Sequence, residues 1–336
     1  MANNIFGIDL GTNNIKIYSK NEDHILIEKN MIAIENKNTL LAYGDSAYEM
    51  YEKAPSNIRT SYPVCNGVIA DIKNMESLVK LFVSDISKRV IKPADFYVAV
   101  PTDVTEVEKR AFYDLIKDAG VKAKKIMVVE KAVADGLGLD IDVKNSQGVM
   151  VVNVGYATTE ISILSLGGIV LSKLIKVGGY KFDEAIRNGV RKEYNLIIGE
   201  KSAEKIKFNM NELEKVGKSA LVYGRDIVTG LPIEREIPTE LVEECLAESF
   251  NAIIDSIKVI LERTPPELGA DIYRHGIYLT GGASQVNRFA KLVSEGTGLK
   301  INLSEKPIES VAIGLSKIIK DDNYKTLAYA IEGMGR

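Results

Sequence analysis

Two periodicities of apolar residues alternate along this chain. Short segments in which every residue or every second residue is apolar predict β-strands, and longer segments with apolar residues three or four apart predict helices. The predicted strands cover residues 5–10, 15–18, 25–35, 39–43, 96–100, 149–154, 160–164, 169–174 and 276–279. The predicted helices cover residues 75–91, 105–120, 181–195, 201–216, 239–263, 284–295 and 308–320. This alternation is typical of the α/β class.

One strand-and-turn pattern occurs twice, 144 residues apart. In each copy an apolar strand reaches Asp9 or Asn153, and a single apolar residue then precedes Gly11 or Gly155. Solenoid repeats recur at roughly 20–50 residues, so these copies are too far apart for a solenoid. The pattern predicts a duplicated α/β domain with a site between its halves; two unrelated strand turns are the alternative.

Composition narrows the function classes. The 336 residues suggest two domains, and a net charge of -3 argues against a dedicated nucleic-acid binder. Two cysteines, Cys65 and Cys245, cannot build a disulfide framework, which favours a reducing cytoplasm. Two histidines make a zinc site improbable on composition. We expect neither a secretory leader nor a membrane span.

The first copy of the turn has the chemistry of an anion site. Gly11 permits a close approach of the backbone to a bound group, and the N–H groups and hydroxyls of the turn can bind an anion. Asp9, at the strand end, can hold Mg²⁺ through its water shell. Taken alone, Asp9 could equally be a turn-forming aspartate.

Two further segments fit a nucleotide. The run Gly281, Gly282, Ala283 and Ser284 follows a predicted strand, opens a predicted helix and offers N–H donors without bulky side chains. Glu204 and Lys207 lie three residues apart and share a helix face. A solvated surface ion pair is the alternative reading of these last two residues.

These segments, with others along nearly the whole chain, resemble the actin superfamily and within it the MreB family of bacterial rod-shape actins. The residues that carry the resemblance are Gly7 to Thr12, Gly67 to Asp71, Val100-Pro101, Thr105 to Arg110, Ile163 to Val170, Phe182 to Ile186, Gly199 to Glu204, Thr229 to Pro232, Thr264 to Leu268 and Leu279 to Gly282. The resemblance implies an actin-like (ribonuclease H-like) duplicated two-domain fold that closes on ATP and Mg²⁺ at a central cleft. It implies a first domain of residues 1–32, 66–146 and 309–336 with a small subdomain at 32–65, and a second domain of 147–308 with a small subdomain at 182–240.

The resemblance also implies the role of each segment. Thr12, Asn13 and Asn14 would form the first phosphate loop, and Tyr156, Ala157 and Thr158 the second. Glu204 and Lys207 would line the adenosine side, with Gly281, Gly282, Ala283 and Ser284 beneath the base and phosphates. Such proteins polymerise head to tail at the inner face of the cell membrane and guide cell-wall synthesis. We therefore expect a homopolymer, with another family member and membrane-bound cell-wall synthesis proteins as partners.

Three departures from the family pattern fall on the implied active site. Asn153 replaces an aspartate, and Tyr156 and Ala157 replace glycines of the second phosphate loop. Lys131 replaces the glutamate that polarises the attacking water; a lysine of ordinary pKa is a poor base at neutral pH, although it can pair with a phosphate. Glu130 could substitute by a small shift. We predict that ATP binding survives while hydrolysis is weak or lost.

Membrane contact and two other functions stay open at this point. Val90 and Ile91, beside Lys88 and Arg89, form a modest apolar anchor or simply the end of a helix. A phosphotransferase of the same superfold is one alternative, although it should keep its catalytic carboxylates. A non-hydrolysing regulatory partner that co-polymerises with another MreB is the other.

Overall fold

The first large sheet is built around the N-terminal strand-and-turn pattern. A computed structural model describes residues 4–36, 38–65, 67–88, 90–214 and 219–331. The strands of this sheet are β1 (Asn4–Leu10), β2 (Asn14–Ser19), β3 (His24–Lys29), β9 (Ala94–Val100), β10 (Ala123–Glu130) and β19 (Ala328–Tyr329). Their order is β19-β10-β9-β1-β2-β3, with β1 antiparallel to β2 and parallel to β9. The register pairs Asp9 with Lys16 across the hairpin.

The second large sheet repeats this topology. Its strands are β11 (Val149–Val154), β12 (Thr159–Ser165), β13 (Gly168–Ile175), β17 (Ile277–Thr280) and β18 (Ile301–Leu303). Their order is β13-β12-β11-β17-β18, again a three-stranded meander followed by parallel strands. Asn153 stands opposite Glu160 as Asp9 stands opposite Lys16. The predicted duplication is therefore confirmed, and the reading as two unrelated turns is wrong.

Within the described residues, three smaller sheets are separate from the two large ones. The strands β4 (Ile32–Glu35), β5 (Thr39–Tyr43) and β6 (Ile58–Ser61) form one, and β14 (Leu196–Ile197), β15 (Ala220–Asp226) and β16 (Pro232–Ile237) form another. The short strands β7 (Val64–Cys65) and β8 (Val68–Ile69) pair with each other. The apolar segment 25–35, predicted as one strand, is broken after Lys29 because β3 and β4 belong to different sheets.

The helices follow the predicted spacing with several corrections. They are α1 (Asp45–Met50), α2 (Ile72–Ile86), α3 (Glu106–Asp118), α4 (Lys131–Gly138), α5 (Gly179–Tyr194), α6 (Glu200–Glu214), α7 (Thr239–Arg263), α8 (Pro266–His275), α9 (Phe289–Thr297) and α10 (Ser310–Lys320). Sequence periodicity missed the helices α1, α4 and α8 and several strands, β6, β10, β15 and β16 among them, and it extended α2 to residue 91. Residues 215 and 216, predicted at the end of α6, lie outside the described residues. The predicted helix 284–295 is instead a 3₁₀ turn (Gly282–Gln285) followed by α9.

Helices α4 and α10 pack closely against each other, and this packing fixes the position of α4. A Cβ atom at Gly314 would lie 1.8 Å from the carbonyl oxygen of Ala134, so no larger residue fits there. Buried side chains of α4, such as Val133 and Leu137, belong to the same apolar cluster as Leu315 of α10. This contact holds the first residue of α4, Lys131, at the ends of the central strands.

Candidate functional site

A cavity of about 380 Å³ lies between the two halves of the fold. Both copies of the strand-and-turn pattern face it, together with residues of α4, α6 and the 3₁₀ turn. The predicted site residues that line it are Asp9, Gly11, Thr12, Asn13, Asn14, Lys131, Asn153, Gly155, Tyr156, Ala157, Thr158, Glu204, Lys207, Gly281, Gly282 and Ala283. One cavity thus brings together segments that are up to 274 residues apart in the chain.

Several predicted residues lie elsewhere. Glu130 does not line the cavity, because its Oε1 accepts hydrogen bonds from Lys109 Nζ at 2.9 Å and from the Tyr329 hydroxyl at 2.8 Å. Ser284 is buried and donates its hydroxyl to the carbonyl oxygen of Gly281 at 2.7 Å. Val90 and Ile91 lie in the connection between α2 and β9, and the neighbouring basic residue at position 89 lies outside the described residues.

Lys131 lies on the cavity wall in an ion pair that sequence analysis did not foresee. Its Nζ is 3.3 Å from Oε1 of Glu160, the residue after Thr159 at the start of β12. Glu160 is buried, and its Oε2 accepts a hydrogen bond from the Thr102 hydroxyl at 3.0 Å. Burial lowers the pKa of Lys131, but the negative charges of Glu160, Asp9 and Asp135 outweigh it and hold this pKa above its ordinary value.

Asp9 has the same kind of partner. The register of the β1–β2 hairpin places Lys16 beside it, and Lys16 Nζ lies 2.8 Å from Asp9 Oδ2. Burial raises the pKa of the Asp9 carboxyl, but Lys16 and Lys131 outweigh burial and keep this pKa below its usual value. Asp9 is therefore an anion at neutral pH with an ammonium group already in contact.

Asn153, on the cavity wall, belongs to a buried polar cluster centred on Asp135, which does not line the cavity. Its Nδ2 donates to Oδ2 of Asp135 at 2.6 Å, and the Ser310 hydroxyl donates to the other carboxylate oxygen at 2.6 Å. Ser310 in turn accepts from Thr280 Oγ1 at 2.8 Å. Burial raises the pKa of Asp135 to about 6, against the lowering influence of Lys131, Asn153 and Ser310. Asn153 is thus committed to a structural hydrogen bond.

Glu204 and Lys207 share the cavity-facing side of α6, as predicted, but they do not form a surface pair. Lys207 is buried, and its Nζ lies 2.8 Å from Oδ1 of Asp183 and 3.2 Å from the carbonyl oxygen of Gly179, both on α5. Glu204 instead accepts the Tyr48 hydroxyl at 2.9 Å. The solvated reading of these two residues is wrong, since each has a partner from another helix.

The two predicted phosphate loops face each other, and they differ in the size of their side chains. Asn13 in the first loop accepts a hydrogen bond from Lys29 Nζ at 3.2 Å and from the Tyr62 hydroxyl at 3.4 Å. Tyr156 in the second loop packs its ring against that of Tyr62, 5.9 Å between centroids. Neither Tyr156 nor Ala157 has a positive φ, so the side chains that replace glycine here cause no backbone strain.

Contacts join α1 and the two residues after it to α6, whose Glu204 lines the cavity; we call them the clasp. Its members are Tyr48, Tyr51, Glu52, Glu200, Lys201 and Glu204. The Tyr51 hydroxyl donates to Oε2 of Glu200 at 3.0 Å, and the Glu200 N–H donates to both carboxylate oxygens of Glu52 at 3.0 Å. Lys201 Nζ lies over the Tyr48 ring, 4.3 Å from its centroid. The clasp therefore joins the two halves of the fold beside the cavity.

The charge of the lining suits an anion. Four lysines, at positions 16, 29, 131 and 207, face the cavity against three carboxylates, at 9, 160 and 204, which leaves one formal positive charge. Polyphosphates bind where backbone N–H groups and cations converge. Sequence analysis missed Lys16, Lys29 and Glu160; the opposition of the two hairpin strands would have pointed to Lys16 and Glu160.

The lining does not offer the donor set of a protein-held magnesium ion. Mg²⁺ takes octahedral oxygen ligands and usually keeps several waters, bound by one or two carboxylates together with substrate phosphates. Asp9 and Glu160 are each paired with a lysine, and Asn153 carries no charge. Among the described residues, no cluster of three or more His, Cys, Asp or Glu side chains could hold a metal ion. Asp9 could meet a metal only through water and in competition with Lys16.

Two duplicated halves that enclose one polar cleft between strand-end loops define the actin-like class of fold. Residues 3–326 match the family model described as MreB/Mbl protein, so the chain belongs to the MreB/Mbl family. The cell shape-determining protein Mbl of Bacillus subtilis is 36% identical over 312 residues, 92% of this chain and 93% of that one. MreB of Escherichia coli, also named cell shape-determining, is 34% identical over 330 residues, 95% and 94% of the two chains.

A solved structure agrees with this assignment. MreB5 of Spiroplasma citri, bound to AMPPNP, is 33% identical, covers 97% of this chain and 98% of its own, and superposes with a TM-score of 0.88. The resemblance to the actin superfamily and the predicted fold class are thereby confirmed. Among the described residues, no helix is long and apolar enough to cross a membrane.

Proposed function

We propose that this chain is an ATP-binding, filament-forming cytoskeletal protein that takes part in cell shape and in the guidance of cell-wall synthesis. The observation that carries the proposal is the cavity in which both duplicated turns meet four lysines. Membership of the MreB/Mbl family supports the cytoskeletal role. The predicted domain boundaries, at residues 32, 65, 146 and 308, belong to this proposal, with the cleft between the two domains.

Hydrolysis is weak or lost in this proposal. A general base must reach the attacking water in its deprotonated form. Lys131 is held as a cation by Glu160, and Glu130 is held outside the cavity by Lys109 and Tyr329. The chain therefore binds ATP and, with no positioned base at either residue, turns it over slowly.

Phosphate release tests this directly. The wild type should release phosphate at a rate well below that of hydrolysing family members, and Lys131→Glu combined with Asn153→Asp should raise the rate. Lys125→Glu, an exposed charge reversal on β10, is the matched control and should change nothing. Rapid turnover by the wild type, or no gain in the double variant, would refute the assignment of Lys131 and Asn153 as the limiting residues.

In this proposal the chain polymerises head to tail into homopolymers, in the cytoplasm at the inner face of the cell membrane. Val90 is 58% exposed beside the half-buried Ile91, which makes this pair a candidate for peripheral membrane contact. Val90→Ser with Ile91→Ser should reduce co-sedimentation with anionic liposomes. Unchanged co-sedimentation would remove the pair from the proposal, and membrane-bound cell-wall synthesis proteins would then be the route to the membrane.

The lysine at position 131 also favours a second candidate, a non-hydrolysing regulatory partner that co-polymerises with another MreB. The two candidates differ in what the pure protein does. Filaments that pellet with ATP alone support the first, and soluble monomers that pellet only with a second MreB support the other.

A further inference from the structure

The carboxylates at the deep end of the cavity are already neutralised from within the chain. Asp9 is paired with Lys16 and Glu160 with Lys131, and all four side chains are at most 17% exposed. Ion pairs in such a setting are poorly screened by salt or water. A divalent cation that approached Asp9 or Glu160 would meet an ammonium group beside each of them.

Lys131 is a permanent charge rather than a titrating one. Burial disfavours its ammonium form, but three surrounding carboxylates, those of Glu160, Asp9 and Asp135, favour it more strongly. Its pKa therefore lies above the ordinary lysine value, and the residue stays charged throughout the physiological range. Lysine binds phosphate as a compact point charge. Its positive charge can therefore offset the negative charge of a polyphosphate, as a bound metal ion otherwise does.

The remaining polar groups at this end of the cavity do not compensate for a metal. Asn153 is neutral and directs its amide nitrogen to Asp135, which is 1% exposed and lies behind the cavity wall. Asp135 has its own donors in Asn153 and Ser310. The wall thus presents two ammonium groups, each in contact with a carboxylate, and neither Asp9 nor Glu160 is free of such a partner.

We propose that Lys131, together with Lys16, is the counter-cation of the nucleotide phosphates, so that this chain binds a nucleoside triphosphate without a divalent metal ion. The inference rests on the proposed function, since it concerns the same cavity. It assigns the form of the ligand as the metal-free triphosphate, and it makes Lys131 a phosphate-binding residue rather than a damaged catalytic one.

The test measures affinity, not turnover. Binding of AMPPNP is measured by calorimetry in excess Mg²⁺ and in excess EDTA. The dissociation constant in EDTA is divided by the dissociation constant in Mg²⁺, and this ratio is compared among variants. In the wild type the ratio should be less than about 5, because a fixed ammonium group replaces the metal charge. In Lys131→Met it should rise above about 10, since each tenfold change corresponds to the loss of one moderate charge contact.

Two further variants separate a charge effect from a packing effect. Lys131→Arg keeps the cation and should keep the low ratio. Lys320→Met removes another lysine–carboxylate pair, with Asp23 at 2.6 Å, that lies outside the cavity, and should also keep the low ratio. Because each ratio compares one variant with itself, a general loss of stability cancels.

Each outcome decides the matter. A wild-type ratio above about 5, or an equal ratio in the wild type and Lys131→Met, overturns the inference while leaving nucleotide binding intact. Absence of binding in both Mg²⁺ and EDTA refutes the proposed function itself, and the metal-free assignment with it. The two failures are therefore distinguishable in one experiment.

Discussion

The clasp should control how fast nucleotide leaves the cavity. It joins residues 149 and 156 positions apart in the chain, Tyr51 to Glu200 and Tyr48 to Glu204, and Glu204 also lines the cavity. Because these contacts hold the two halves together beside the cavity, we expect a nucleotide bound between the halves to leave faster when they break. The perturbation is Tyr48→Phe with Tyr51→Phe, which removes both hydroxyls and keeps both rings.

The magnitude follows from the number and type of contacts. Hydrogen bonds to charged acceptors contribute about 1.5–3 kcal/mol, and the half-buried setting of both tyrosines places these two at the low end. Losing both lowers the cost of opening by about 2–3 kcal/mol, which corresponds to about 30- to 150-fold faster release. The ring contacts of Tyr48 with Lys29 and Lys201 remain in the variant.

The assay is a stopped-flow chase of a fluorescent ATP analogue by excess ATP. Tyr43→Phe is the matched control, because its hydroxyl also donates to a carboxylate, Asp85 at 2.9 Å, but within one half of the fold. It should leave the rate unchanged. A release rate in the double variant within about twofold of the wild type would refute the reasoning, since the clasp would then carry no part of the barrier.

Three further predictions concern stability. Gly281→Ala should destabilise the fold by about 2–4 kcal/mol in urea denaturation. The reason is that its Cβ would lie 2.3 Å from the carbonyl oxygen of Val154, at a φ of 89°. Gly269→Ala, which has open space around its Cβ, should not destabilise the fold, and equal effects of the two variants would contradict this view. Asp135, with a native pKa of about 6 and a lower one when unfolded, is destabilising once ionised. The free energy of unfolding of the wild type relative to Asp135→Asn should therefore fall by up to about 3 kcal/mol as pH rises from about 4 to 6, and a flat difference would argue against it. Thr105→Ala should cost about 1 kcal/mol through loss of the capping box, and an unchanged melting temperature would count against that role.

Local patterns were enough to predict the duplicated halves. The strand that ends near Asp9 and Gly11, and its copy at Asn153 and Gly155, are defined by neighbouring residues, as is the capping box at Thr105. Short buried elements such as α4 escaped detection, because eight residues show too little periodicity and packing against α10 decides their form.

Partners of the site residues could not be predicted in the same way. The pairs Lys131 with Glu160 and Tyr48 with Glu204 join separate elements, and nothing local in either residue indicates the other. Glu130 shows the same limit: its contacts with Lys109 and Tyr329, which keep it out of the cavity, depend on three separate elements. The sequence shows which site residues are charged, but it does not show which of them neutralise one another in the folded protein.

The most direct test of the account is to pellet the pure protein with ATP and identify the nucleotide in the pellet. The account predicts filaments that hold unhydrolysed ATP after many minutes, because Lys131 leaves the cavity without a base. A pellet that holds ADP and has released its phosphate would contradict the central claim.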